Sequence, residues 1–110
     1  MEYEYSFQFT TSAKRDLDII LSYFIVELQN KDAANEFIET LNRKIDSLRM
    51  FPKSGALVEN LFLGNVVLRR KIVNQYNLIY FEDEENHEII ILRIIHVKVD
   101  LKKILLKLSN

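Results

Sequence analysis

The side chains best equipped for chemistry stand in the second half of the chain. Arg69, Arg70 and Lys71 form a row, and Arg93, His96 and Lys98 fall within and just after a run of isoleucines. Consecutive cations can hold a phosphate or a carboxylate-rich peptide, and a histidine can exchange a proton near neutral pH. All six sit in stretches that read as β-strands. Charge inside such a stretch costs desolvation energy unless it is solvated or paired. Strand alternation puts Arg69 and Lys71 on one face and Arg70 on the other, with Leu68 and Ile72. The functional reading is a cation pair on the face that helices leave uncovered. The plainer reading is an edge strand whose charges deter aggregation. For Arg93 the plainer reading is an ion pair with a helix carboxylate, and for His96 a satisfied buried histidine. His87, in the DEENHE turn, reads as solvated.

Other chemistries lack their parts. Gly55 and Gly64 are the only glycines, so no phosphate-cradling loop can form, and there is no GxSxG, HExxH or EF-hand spacing. The chain has no cysteine and two histidines, so no cofactor and no metal are expected. Residues 1–60 carry seven Lys/Arg against ten Asp/Glu, and residues 61–110 carry eight against six. That balance argues against coating nucleic acid by bulk charge but allows a local basic face. The acidic start MEYEYSFQF is not a signal peptide, and no apolar run reaches the ~18 residues of a membrane span. One cytoplasmic domain over residues 1–110, with no membrane contact, is expected.

The elements that position these residues follow from periodicity. Tyr3 to Thr10 alternates as a half-buried strand with Tyr3, Tyr5, Phe7 and Phe9 on one face. Thr11 or Ser12 should cap a helix to about Leu28, with Ala13, Leu17, Ile20, Leu21, Phe24 and Leu28 as its stripe. Asp32 should cap a second helix from Ala33 to about Met50, striped by Ala34, Phe37, Ile38, Leu41, Ile45 and Leu48. Phe51-Pro52-Lys53-Ser54-Gly55 stops it. Ala56 to Asn65 reads as a connection packed on the body through Leu57, Val58, Leu61, Phe62 and Leu63, ending in a Gly64-Asn65 turn. Strands follow at Val66–Val73, Tyr76–Glu82 and Glu88–Val99, in an antiparallel meander. Tyr76, Leu78 and Tyr80 share a core face, and Glu82-Asp83-Glu84-Glu85 reads as a solvated turn. Asp100 should cap a final helix, Leu101 to Leu108, with Leu101, Ile104, Leu105 and Leu108 on one face. The order β-α-α-β-β-β(-α) gives an α+β, two-layer domain: a mainly antiparallel four-stranded sheet with a helix hairpin on one face.

TTSAKRDLDII, AANEFIETLNRKIDSLRMFPKSG and LRRKIVNQYNLIYFEDEENHEIIILRIIHVKVD, in this order, resemble the RelE/ParE superfamily of bacterial toxins, the plasmid stabilisation protein family. The likeness runs from about Tyr5 to Leu105. It rests on the Pro52…Gly55 turn, Tyr76-Asn77-Leu78-Ile79-Tyr80 and Ile91-Leu92-Arg93-Ile94-Ile95-His96. It implies a growth-inhibiting toxin of a type II toxin–antitoxin system, neutralised by a cognate antitoxin. In the family, RelE-like members cleave messenger RNA in the ribosomal A site and ParE-like members poison DNA gyrase. Arg69, Arg70 and Lys71 could fill the basic role of the nuclease branch, with His96 or Lys98 assisting proton transfer and no metal. Asn77 stands where that branch carries an arginine, and an aliphatic stretch around Ile104 replaces its tyrosine. Arg93 and His96 match a Leu-Arg-x-x-His pattern of ParE-like members. The resemblance therefore leans to a ParE-like toxin whose target or antitoxin contacts involve Arg69, Arg70, Lys71, Arg93, His96 and Lys98. The alternatives are a RelE-like endoribonuclease and a degenerate, non-toxic member. A helical, acidic antitoxin segment would cover the stripes of the helix hairpin or replace the final helix, with electrostatic help from the basic strand face. Whether the toxin forms a homodimer is left open.

Overall fold

The computed structural model describes residues 4–63 and 66–108, with the side chains of 59–63 and 105–108 not described. The element order is β1 (Ser6–Phe9), α1 (Thr11–Ser22) running into a π-helical turn (Tyr23–Glu27), α2 (Lys31–Met50), β2 (Ala56–Leu63), β3 (Val66–Val73), β4 (Tyr76–Asp83), β5 (Glu88–His96) and α3 (Leu101–Leu108). Tyr3, the Gly64-Asn65 turn and the side chains of Leu61, Phe62, Leu63, Leu105 and Leu108 lie outside what is described.

The α+β class and the helix hairpin stand as expected, with two differences. The stretch expected as a connection is a strand, so the sheet has five strands in the order β1-β5-β4-β3-β2. The β2–β3 ladder is irregular between Leu57 and Phe62, which is why ALVENLFL shows no clean alternation. All neighbours are antiparallel except β1, which runs parallel to β5 from Ser6↔Glu88 to Phe9↔Ile91.

The second difference is that the sheet is buried on both faces. On one face Ala13, Ile20, Phe37, Leu41, Ile45 and Leu48 of the helix hairpin meet Val73, Leu78, Tyr80, Ile89, Ile91 and Ile94. On the other, Leu101 and Ile104 of α3 pack with Leu68, Ile79, Leu92 and Ile95. The final helix thus folds back and adds a partial third layer. Ile79 pairs with Arg93 but Tyr80 with Ile91, leaving Leu92 as a bulge. The bulge switches which positions face the hairpin, from Ile89 and Ile91 to Ile94. A run of isoleucines without alternation is what a strand buried on both faces requires.

Local signals place the helix ends. Thr10 rather than Thr11 or Ser12 caps α1, accepting from Ala13 N at 3.1 Å. Asn30 rather than Asp32 caps α2, accepting from Ala33 N at 3.0 Å. Asp100 does cap α3, its carboxylate accepting from Lys102 N at 3.0 Å. Asn74, opening the two-residue β3–β4 turn, takes a left-handed φ of 54° that asparagine tolerates.

The turn after α2 is tied to the sheet by one side chain. The Tyr80 hydroxyl donates to Pro52 O at 2.8 Å and accepts from Gly55 N at 2.9 Å. Burial pushes this phenol above its ordinary pKa, so it stays a donor. Gly55 is required by closeness: a Cβ there would lie 2.5 Å from the Tyr80 hydroxyl and 2.8 Å from Arg70 O. Gly55→Ala should therefore cost about 1–3 kcal/mol by overpacking. Urea denaturation should show a lower midpoint with unchanged slope, and an unaltered midpoint would mean the turn is not so constrained.

Candidate functional site

The site begins where β1 ends. β1 covers β5 only from Glu88 to Ile91, and beyond it the backbone of β5 needs other partners. Thr10 supplies one, its hydroxyl donating to Leu92 O at 2.8 Å. Asp16 supplies the next, its carboxylate accepting from Ile94 N at 2.9 Å. The same carboxylate grips Arg93 bidentately, Oδ2 to Nε at 2.7 Å and Oδ1 to Nη2 at 3.0 Å. The side chains are 13% and 23% exposed, so the pair is largely desolvated. This is the ion pair with a helix carboxylate that the isoleucine context of Arg93 suggested.

His96 lies at the end of the same strand, half-buried and opposite Tyr76. Its Nδ1 accepts the backbone N–H of Lys98 at 3.1 Å. In the neutral ring the proton therefore sits on Nε2. The imidazole meets Tyr76 edge-on at 5.3 Å, and Tyr76 meets Phe37 likewise at 5.4 Å. Burial, with Tyr23 adding, holds Tyr76 above its ordinary pKa.

Arg93 and His96 come together on a groove of about 790 Å³. Asp16, Ile19, Ile20 and Tyr23 of α1 and the π-helical turn line it, as do Val99 and Ile104. Gln75 and Glu36 add polar groups at its rim. An apolar groove with a few polar anchors suits an apolar segment of a partner better than a small charged substrate.

The other cations are placed elsewhere. Arg69 and Lys71 share a face, as alternation requires, but it is the face of the helix hairpin. The Arg69 guanidinium donates to Lys53 O at 3.1 Å and Gly55 O at 2.9 Å. Lys71 Nζ donates to Ser54 Oγ at 3.2 Å. Both thus fasten the turn that Tyr80 holds. Arg70 faces the α3 side, where its guanidinium reaches the buried Asn77 Oδ1 at 3.5 Å. Lys98 is exposed. Most of the hairpin's apolar stripes, Ala13, Ile20, Phe37, Leu41, Ile45 and Leu48 among them, are buried against the sheet and closed to a partner, whereas Leu28 at the end of the first stripe is exposed.

Two acidic residues were misjudged or missed from sequence. Glu82 is not solvated: it accepts from Tyr5 Oη at 2.6 Å and from Lys53 Nζ at 2.9 Å, with 10% of its side chain exposed. Glu84 holds the same Lys53 Nζ at 2.9 Å. His87 is exposed and edge-on to Tyr5 at 5.2 Å. Asp16 carried a readable signal. It lies between Ala13 and Ile20 on the buried stripe of α1, where a charge needs a partner.

The fold is shared with chains of known toxin–antitoxin complexes. A structure of the chromosomal ParDE TA system from P. aeruginosa matches with TM-score 0.67 and 22% identity, covering 88% of this chain and 100% of that one. The toxin–antitoxin complex RelBE2 from Mycobacterium tuberculosis gives 0.55 and 23%, covering 84% and 98%. The archaeal RelE–RelB complex from Pyrococcus horikoshii OT3 gives 0.55 and 18%, covering 88% and 99%. No curated protein matches the sequence. The family model for the ParE toxin of the type II toxin–antitoxin system, parDE, matches residues 7–101. The chain belongs to this family, and is a toxin of the type II toxin–antitoxin class. Among the described residues no helix is long and apolar enough to cross a membrane.

The Glu82 cluster sets a pH dependence. Burial tends to raise the Glu82 pKa, but hydrogen bonds from Lys53 and Tyr5 outweigh it and hold it below the ordinary 4.5. Tyr5 is pushed up to about 12, first by its bond to Glu82 and then by burial. A depressed carboxyl stabilises the fold above its unfolded pKa, and that contribution fades as pH falls through the folded value. Stability should therefore decline below about pH 4.5. Glu82→Gln should be less stable at neutral pH and flatter over that acid range, as read by thermal melts. An unchanged acid slope would remove Glu82 from the account.

Proposed function

We propose that this protein is a ParE-type toxin that acts by binding a protein target, DNA gyrase, and is held inactive by a cognate antitoxin. One observation carries the reading: of the cations that RNA cleavage would draw on, Arg69, Lys71 and Arg93 are bonded within the fold and Lys98 alone is left exposed. In-line attack of a 2′-hydroxyl needs free cations at the transition-state phosphate and a proton carrier beside them. Arg93 is bound to Asp16 and Arg69 to two backbone carbonyls, while Lys71 meets Ser54. Arg70 lies on the opposite face of the sheet from Lys71, and His96 lies beyond both at the far end of β5. The family match over residues 7–101 supports the same branch. The apolar groove beside Arg93 and His96 supports a role in protein binding, and is the surface we assign to the antitoxin.

The test is direct. Purified toxin should inhibit the supercoiling activity of gyrase, and the antitoxin should restore it. Unaffected supercoiling, with A-site cuts in toeprints of translated messages that Arg70→Ala abolishes, would replace this reading with ribosome-dependent cleavage. Normal growth on induction would instead mark a non-toxic member.

A further inference from the structure

The chain leaves β5 through three consecutive amides, and each has its own acceptor. Val97 N–H donates to Gln75 O at 2.9 Å, Lys98 N–H to His96 Nδ1 at 3.1 Å and Val99 N–H to His96 O at 3.0 Å. The next residue, Asp100, caps α3 through Lys102 N. α3 then lies back on the sheet, where Leu101 and Ile104 pack with Leu68, Ile79, Leu92 and Ile95. The exit turn therefore sets the direction in which α3 starts. Val97, Lys98, Val99 and Asp100 are themselves exposed, so hydrogen bonds more than packing give the turn its shape. Two of the three acceptors are backbone carbonyls, which ordinary pH leaves unchanged. The third is a ring nitrogen whose lone pair a proton can take.

The His96 ring is set in place by aromatic contact. It is half-buried and edge-on to Tyr76, which is edge-on to Phe37 in turn. Asp16 of α1, Tyr23 of the π-helical turn, Glu36 of α2, Tyr76 of β4 and Arg93 of its own strand line the groove with it. Asp16 and Arg93 neutralise each other. Lys98 and Asp100 follow in the turn, and Lys102 and Lys103 open α3. The charges around the ring are thus of both signs, with Glu36 and Asp100 set against the lysines.

We propose that His96 is a pH-sensitive latch for α3: the neutral ring holds the exit turn through Lys98 N–H, and the imidazolium lets it go. On protonation Nδ1 gains a hydrogen and can no longer accept, so two N–H groups face each other across the turn. A proton therefore binds the unlatched turn better than the latched one. By linkage, falling pH favours release and rising pH favours closure. The change belongs to the range in which histidine exchanges protons, about pH 5 to 8. Release draws Leu101 and Ile104 off Leu68, Ile79, Leu92 and Ile95, and takes Val99 and Ile104 out of the lining of the groove. The acid form has an uncovered sheet face and a wider groove. The latch operates whatever the groove binds.

Hydrogen exchange of the full chain, read by mass spectrometry at about pH 7.5 and about pH 5.5, tests it. Rates are corrected for the intrinsic pH dependence of amide exchange. Amides of α3 should lose protection about threefold to tenfold at the lower pH, the loss of one net hydrogen bond, while those of α2 keep theirs. Glu82, held below 4.5, stays charged over this range. His96→Asn keeps an acceptor two residues before Lys98 N–H, as in an Asx-turn, but cannot take the proton. It should leave α3 equally protected at both values. His96→Ala should leave α3 weakly protected at both. Protection of α2 reports that each variant is folded. His87, at the other end of β5, is intact in His96→Asn, so a loss that survives there is not the latch's. Wild-type α3 exchanging alike at both pH values, or His96→Asn losing as much protection as wild type, would overturn the proposal.

Discussion

A single carboxylate joins the two halves of the fold. β1 is too short to pair the whole of β5, and Asp16 takes over where it stops. By accepting the Ile94 N–H and clamping Arg93, it lets the first turns of α1 stand in for the missing strand. A buried ion pair gains little if its remaining hydrogen-bonding capacity is unmet. This one is supplemented by a backbone donor and shielded by the hairpin. Its position fixes how α1 crosses β5, which sets both the wall of the groove and the outward angle of Ile19 and Tyr23.

This arrangement changes what the basic residues mean. Six histidine, lysine and arginine side chains invite a catalytic reading when seen in sequence. In the fold, Arg93 anchors a helix, and Arg69 and Lys71 fasten the turn that Tyr80 also grips. Their positive charge is spent on neighbours rather than presented to a polyanion. The groove beside them is lined largely by apolar side chains.

Much of the fold was legible because each cue had one physical solution. The stripes Ala13–Leu28 and Ala34–Leu48 read as hairpin helices, although Leu28 ends up exposed, and Asp100 read as the cap of a short helix. The Pro52…Gly55 stop was visible, although its reason, the approach of Tyr80, was not. β2 escaped because an irregular edge ladder leaves no alternation to read. The caps shifted because Thr10, Thr11 and Ser12 all carry hydroxyls, and only tertiary contact with Leu92 O selects the first. The site was half legible. Arg93 and His96 pointed to β5, but the face of Arg69 and Lys71 depended on which side the hairpin takes, and alternation alone does not say. Glu82 looked solvated because its partners, Tyr5 and Lys53, are far away in sequence.

The central claim is that the signature arginine of this chain is a structural anchor. A double-mutant cycle on Asp16→Ala, Arg93→Ala and the double variant, read by urea denaturation, isolates the pair. The account predicts a coupling energy of at least about 2 kcal/mol, since either single change strands a largely buried charge. Additivity to within about 0.5 kcal/mol would contradict it, and would free Arg93 for a direct part in toxicity.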